Sequence, residues 1–230
     1  MSGRLKQPTG RYGGRSAAER RAERRDRFLD AGLQLFGDSP GYRGTTIGAL
    51  SEAAGLSTRQ FYEEFHSLED VLAALHLRVN DWAEEAAFTG LATAQGRPIA
   101  ERATAAFLAY AANVTGDPRR LRITFTEIVG VSARMERQRL ERRARWIDFI
   151  CAEADAAAER GEAVHRDYRI AATAFIGSVN GLLHDWQAGW VDAPLDEVVD
   201  ELVGLLLGIL RPPGWRPEEG GAVEGGGAER

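Results

Sequence analysis

Apolar residues along this chain recur three and four positions apart, and no stretch alternates apolar with polar residues long enough to mark a strand. Phe28, Leu29, Leu33 and Phe36 set a first helical stripe, behind a Ser16 cap with Glu19 three residues on. Asp38 to Gly41 ends it. Thr46 caps a short helix holding Ile47, Leu50 and Ala54, and Gly55 breaks that helix. Ser57 and Gln60 repeat the capping-box pattern and open another short helix, with Phe61 and Phe65 one turn apart. Ser67, Glu69 and Asp70 start a longer helix to about Phe88. Breaks at Gly96 to Pro98, Gly116 to Pro118, Gly161 and Ala193 to Pro194 divide the remainder into helices over about 99–115, 118–130, 132–160, 167–190 and 195–210.

The pattern predicts an all-α protein. A three-helix unit at 16–66 is followed by a six-helix bundle at 67–211. Residues 1–15 carry Gly, Pro and Arg without periodicity and read as a flexible basic arm. Residues 212–230, rich in Pro and Gly, read as a disordered tail.

Thr46 to Phe65 is the most informative stretch. A short helix, a glycine turn and a second short helix share the apolar contacts Ile47, Leu50, Ala54, Leu56, Phe61 and Phe65. Ala53 and Ala54 are small where two helices must approach, and Gly55 suits a left-handed turn. This is the pattern of a helix-turn-helix, whose second helix enters the DNA major groove. With Phe61 and Phe65 inward, Thr58, Arg59, Gln60 and Tyr62 are left at the exposed N-terminal end. Arg can bond guanine with two hydrogen bonds, Gln can do so with adenine, and Thr can touch a thymine methyl. A Tyr hydroxyl can reach a phosphate. The other reading is an ordinary exposed first turn, with Gln60 serving only as a cap partner.

Charge changes the picture in two ways. The net charge is −5 over 230 residues, which by itself does not suggest nucleic acid. Residues 1–27, however, hold nine Arg or Lys against three acids, a surplus of six positive charges. Such a basic end on an acidic body suits a local polyanion-binding region, or equally the solvated face of a helix. From Arg43 to Asp70 there are two basic and five acidic residues, a net charge of −3. That stretch alone should bind a polyanion poorly. Arg4, Lys6, Arg11 and Arg15 are therefore expected to supply part of the attraction, and removing 1–15 to weaken binding and flatten its salt dependence.

Residues 41–72, GYRGTTIGALSEAAGLSTRQFYEEFHSLEDVL, resemble the signature of TetR-family transcriptional regulators. The match runs through Gly41, Tyr42, Thr45, Thr46, Ile47, Ala54, Gly55, Ser57, Tyr62, Phe65, Ser67 and Glu69. It is specific over about 24–75; beyond that the chain agrees in length and helix count. The resemblance implies that Thr46 caps the second helix and contacts phosphate, with Thr45 beside it. Thr58, Arg59 and Gln60 fall at the groove, Tyr62 at a phosphate and His66 near the backbone. It further implies a homodimer on a near-palindromic operator, joined through the last two helices. A small-molecule effector, bound in the larger domain, would release the DNA, which makes a repressor the expected activity. Two departures stand out. Leu68 replaces a Lys that often contacts phosphate, and Glu63 and Glu64 put negative charge on the recognition helix.

The bundle fits that expectation modestly. Phe175, Ile176, Val179, Leu182 and Leu183 form one apolar surface, and Leu195, Val198, Val199, Leu202, Leu205, Leu206 and Ile209 another. Gly177, Gly181, Gly204 and Gly208 inside these helices suggest close helix approach at a dimer seam. Candidates for the effector pocket are Trp82, Phe107, Tyr110, Phe125, Trp146, Phe149, Asn180 and His184. The alternative is that the rings are plain core and that Asn180 and His184 are satisfied polar groups.

Other function classes find little support. There is no phosphate-binding glycine loop, no metal-spaced Cys or His set and no nucleophile motif, so neither an enzyme nor a cofactor or metal is expected. The single cysteine, Cys151, cannot form an internal disulfide and suits a reducing cytoplasm. No apolar segment follows the basic N-terminus, and the longest apolar run, Leu202 to Leu210, is far short of the roughly 18 residues of a membrane span, so neither a signal peptide nor a membrane partner is expected. The remaining rival is a helical ligand-binding or interaction protein whose DNA binding has decayed, a reading favoured by the acidic recognition helix.

Overall fold

The computed structural model describes residues 16–210; the expected basic arm and C-terminal tail lie outside the described residues. Nine α-helices follow in order among them: α1 (Ala17–Gly37), α2 (Ile47–Ala53), α3 (Thr58–Glu64), α4 (Leu68–Thr93), α5 (Ile99–Thr115), α6 (Pro118–Arg122), α7 (Ala133–Glu159), α8 (Arg169–Gln187) and α9 (Leu195–Ile209). The described residues contain no strand. The caps form as the spacing predicts. Ser16 and Glu19 make a complete capping box, as do Ser57 and Gln60, and the Thr46 hydroxyl accepts from the Ala49 amide at 3.1 Å.

The predicted helix at 118–130 is interrupted. Only 118–122 is α-helical, and Ile123–Glu127 widens into a π turn. The helix expected to end near Phe88 instead continues to Thr93.

Two compact units divide the chain, but not at residue 66. The first comprises 1–81 and 117–136; the second comprises 82–116 and 137–230. Apolar burial accounts for the shift. Val71, Leu72 and Leu75 of α4 are fully buried, and Gly32 of α1 lies directly against Val71 and Leu75. The start of α4 therefore belongs to the core of the first unit. Leu121, Ile123 and Ile128 are buried as well, which draws 117–136 into the same unit instead of the bundle where the sequence pattern put it.

The first unit closes around three rings. Phe28 meets Phe61 edge-on at 5.5 Å and Phe65 at 6.1 Å, and all three are buried. Leu50 and Ala54 complete the α2 side, while Ile47 and Leu56 are half-buried and Ala53 is exposed, so only Ala54 of the predicted small pair meets a neighbouring helix. In the second unit α9 packs on α5 and α8. There α4 and α5 also approach closely: a Cβ on Gly90 would lie 2.4 Å from the Ala105 carbonyl oxygen. Gly181, Gly204 and Gly208, expected to serve close packing, have nothing within 4 Å of such a Cβ and are not needed for packing within the protomer.

Candidate nucleic-acid interface and bundle interior

The helix-turn-helix is held in part by local interactions. Gly55 ends α2 in the left-handed region at φ 62°, and its carbonyl accepts from Arg27 of α1 at 2.9 Å. A Cβ there would meet the Arg27 guanidinium at 2.6 Å, which that flexible side chain can relieve by moving, so the left-handed backbone is what favours glycine. The turn before α2 is held from a distant part of the chain: the Glu127 carboxylate accepts the Tyr42 amide at 3.0 Å and pairs with Arg122.

The predicted contact residues separate on this frame. Thr46, Thr58, Arg59, Tyr62 and His66 are exposed. The Arg59 side chain is 91% exposed, touching only Glu63 at 3.5 Å. The Tyr62 ring meets Phe61 edge-to-face at 5.3 Å and stays largely exposed. His66 donates its amide to Asp70. Gln60 is half-buried and engaged in the cap, accepting from the Ser57 amide at 2.9 Å. Thr45 departs from the expectation. It is buried, and its hydroxyl donates to the Gly41 carbonyl at 2.8 Å, so it closes the turn instead of facing outward. Arg43, exposed beside Thr46, was not among the predicted contacts; its place three residues before the α2 cap is the signal that could have found it.

The acidic residues of this stretch are largely answered from elsewhere. The Glu64 side chain is 1% exposed and accepts from Arg21 at 3.0 Å and Arg24 at 2.9 Å. Arg25 adds a bond to the Glu64 carbonyl and lies 4.3 Å over the Phe65 ring. Arg134 pairs with Asp70 at 2.6 Å, and Ser132 donates to Glu69 at 2.8 Å. The hydrogen bond from Arg134 holds the Asp70 carboxyl below the usual carboxylate range. Glu64 is therefore not an outward negative charge. Sequence separations of 40 or more residues gave no sign of this.

In the second unit five rings touch in series, Phe107 and Phe175 buried and Tyr110, Trp146 and Phe149 half-buried. Phe149 meets Trp146 at 6.0 Å, Trp146 meets Tyr110 at 5.2 Å, Tyr110 meets Phe107 at 5.9 Å and Phe107 meets Phe175 at 5.6 Å. Burial pushes the Tyr110 phenol upward. Four of the predicted pocket residues thus join. Phe125 does not: it is buried in the first unit. His184 turns to its neighbour Asp185 at 3.1 Å; Asn180 is half-buried. Trp82 lies at the start of the second unit. Among the described residues no three His, Cys, Asp or Glu side chains are grouped to hold a metal, and no helix is long and apolar enough to cross a membrane.

Residues 28–75 match the family model of bacterial regulatory proteins, tetR family, from the middle of α1 to the first turns of α4. The N-terminal domain is a tetR-family domain. No curated protein matches the sequence significantly. Solved regulator structures share the fold. The fatty acid degradation regulator FadR of Bacillus halodurans has 19% identity and a TM-score of 0.70, covering 82% of this chain and 96% of its own. FadR of Bacillus subtilis, solved with stearoyl-CoA, has 15% identity and a TM-score of 0.69, covering 81% and 99%. AibR, solved with isovaleryl coenzyme A and operator DNA, has 21% identity and a TM-score of 0.61, covering 79% and 97%. At these identities the likeness shows the fold alone.

Proposed function

We propose that this protein is a homodimeric transcriptional regulator of the tetR type that binds a near-palindromic operator and is released from it by a small-molecule effector. The observation that carries the reading is the N-terminal end of α3. Thr58, Arg59 and Tyr62 stand exposed on a helix whose opposite side is buried by Phe61, Glu64 and Phe65. Arg59 is the first candidate for base readout, Thr46, Tyr62, His66 and Arg43 for phosphate contact. The acidic count that favoured a carrier with decayed DNA binding loses its force once Glu64, Glu69 and Asp70 have partners.

A single helix-turn-helix reads half a site, so a second copy is required. The outward side of α8 and α9 supports one: Gly181, Gly204 and Gly208 face open space, Leu205 is exposed and Trp190 is 83% exposed. The effector belongs among the helices of the second unit, where the ring series lies. Because FadR and AibR were solved with coenzyme A thioesters, that class is the first to test. Repression with release by effector requires the ligand to bind the DNA-free state better than the bound one. The work of such a regulator is done in the cytoplasm, without turnover.

The test is binding to DNA flanking the protein's own gene, at two salt concentrations, beside Arg59→Ala. Saturable binding that survives competitor DNA and is lost in the variant supports the reading. Weak binding that vanishes with salt and ignores the substitution overturns it.

A further inference from the structure

In the second unit, α4 and α7 frame an open recess lined by Glu84, Phe88, Arg142, Arg145, Trp146 and Phe149. Its non-atom space is about 220 Å³, solvent at the mouth included. Most of that space is open solvent and the enclosed part has room for about one water, so a ligand's charged end can enter only by taking the place of the Glu84 carboxylate. Two guanidiniums converge on one internal carboxylate: Arg145 approaches Glu84 at 2.6 Å and Arg142 at 3.2 Å. Glu84 is 20% exposed and the Arg145 side chain 60%, so solvent and solutes reach this pair. Beside it, Phe88 is exposed and meets Phe149 at 5.1 Å, which leads on into the ring series Trp146, Tyr110 and Phe107.

We propose that this recess is the entry end of the effector site, and that the effector is an amphiphilic anion whose charged group takes Arg145 and Arg142 over from Glu84. The physical case is one of exchange. A carboxylate or phosphate oxygen can accept the same charge-assisted hydrogen bonds that Glu84 accepts now. The rings then receive the apolar body that follows the charge, with Phe88 covered as it binds. Glu84 acts as an internal competitor that keeps the arginines paired until such a ligand arrives. The proposal rests on the effector-regulated reading above and names the chemistry of that effector.

This assignment makes an unusual prediction of sign. A merely structural Glu84 would weaken ligand binding when altered, whereas a competing Glu84 strengthens it. Calorimetry with octanoyl-CoA, coenzyme A and octanoate should be run on the full chain, on Glu84→Gln and on Arg145→Ala, with melts to confirm folding. Expected are several-fold tighter binding in Glu84→Gln and at least about tenfold weaker binding in Arg145→Ala, the scale of one charge-assisted bond. Octanoate following the same pattern would identify a carboxylate as the anion; a response confined to the coenzyme A compounds would identify a phosphate. Octanoyl-CoA binding that is the same in all three proteins overturns the site while leaving effector control intact. Failure of all three compounds to bind a protein that still holds its operator overturns the anionic class and leaves the DNA-binding reading standing.

Discussion

Two carboxylates in this molecule, Glu64 and Glu84, are each shared by a pair of arginines three residues apart on another helix. Arg21 and Arg24 of α1 hold Glu64; Arg142 and Arg145 of α7 hold Glu84. The chemistry is the same and the setting differs. Glu64 is sealed, with Arg25 lying over the adjacent Phe65 ring. Glu84 opens on a recess with exposed aromatic carbon beside it. A sealed triad can only fix the helices it joins. An open one can trade partners. The comparison teaches that burial, and not the identity of the ion pair, decides whether a charge cluster is a joint or a receptor.

The largest effect that can break this comparison is loss of the sealed carboxylate. Glu64→Ala should cost about 2–3 kcal/mol in urea denaturation, because Arg24 is left partly buried without its partner. Operator affinity should fall with it, since α3 loses its tie to α1. Glu84→Gln should cost about 1 kcal/mol or less, because the amide oxygen still accepts a hydrogen bond from the half-buried Arg142 and Arg145 is open to solvent. Equal losses from the two would erase the distinction. Next in size is Arg59→Ala, which should weaken operator binding by about 1–3 kcal/mol and barely move the melting temperature, because its ion pair with Glu63 is solvent-exposed. A lowered melting temperature would mean that α3 is less independent of its surface than the structure indicates.

Thr46→Ala should cost about 1 kcal/mol of stability through loss of the α2 cap, read by the same denaturation curves. Any further loss in operator binding would report a phosphate contact. The smallest effect concerns acid. Arg134 lowers the Asp70 pKa in the folded protein, so the folded state binds this proton less readily than the unfolded chain. The contribution is therefore present above the unfolded value of about 3.9 and is lost as pH falls through the lowered one. Asp70→Asn should flatten the decline in stability of the first unit below about pH 4. An unaltered acid curve would assign that decline to other carboxylates.

The helix-turn-helix was legible because its instructions are local. Thr46 reaches Ala49, Ser57 reaches Gln60 and Gly55 turns in place, all within one turn of chain. The ring pattern was legible in part for the same reason: Phe61 and Phe65 share a face, and Trp146 and Phe149 do too. Thr45 and Thr46 look alike in sequence, yet one is buried in the turn and the other is exposed. Which of two adjacent hydroxyls faces outward depends on the backbone path, and no periodicity encodes it.

The sequence by itself determined the helices, their caps, the glycine turn and the exposed Thr58, Arg59 and Tyr62. Periodicity and capping act over three or four residues, where neighbours in sequence are neighbours in space. Only the tertiary structure decided that 117–136 joins the first unit, that Glu64 is neutralised by α1 and that Glu84 meets two arginines about 60 residues away. Those pairings span long stretches of chain. They follow from how apolar faces bury one another, and a charge acquires its role from the solvent that burial leaves beside it.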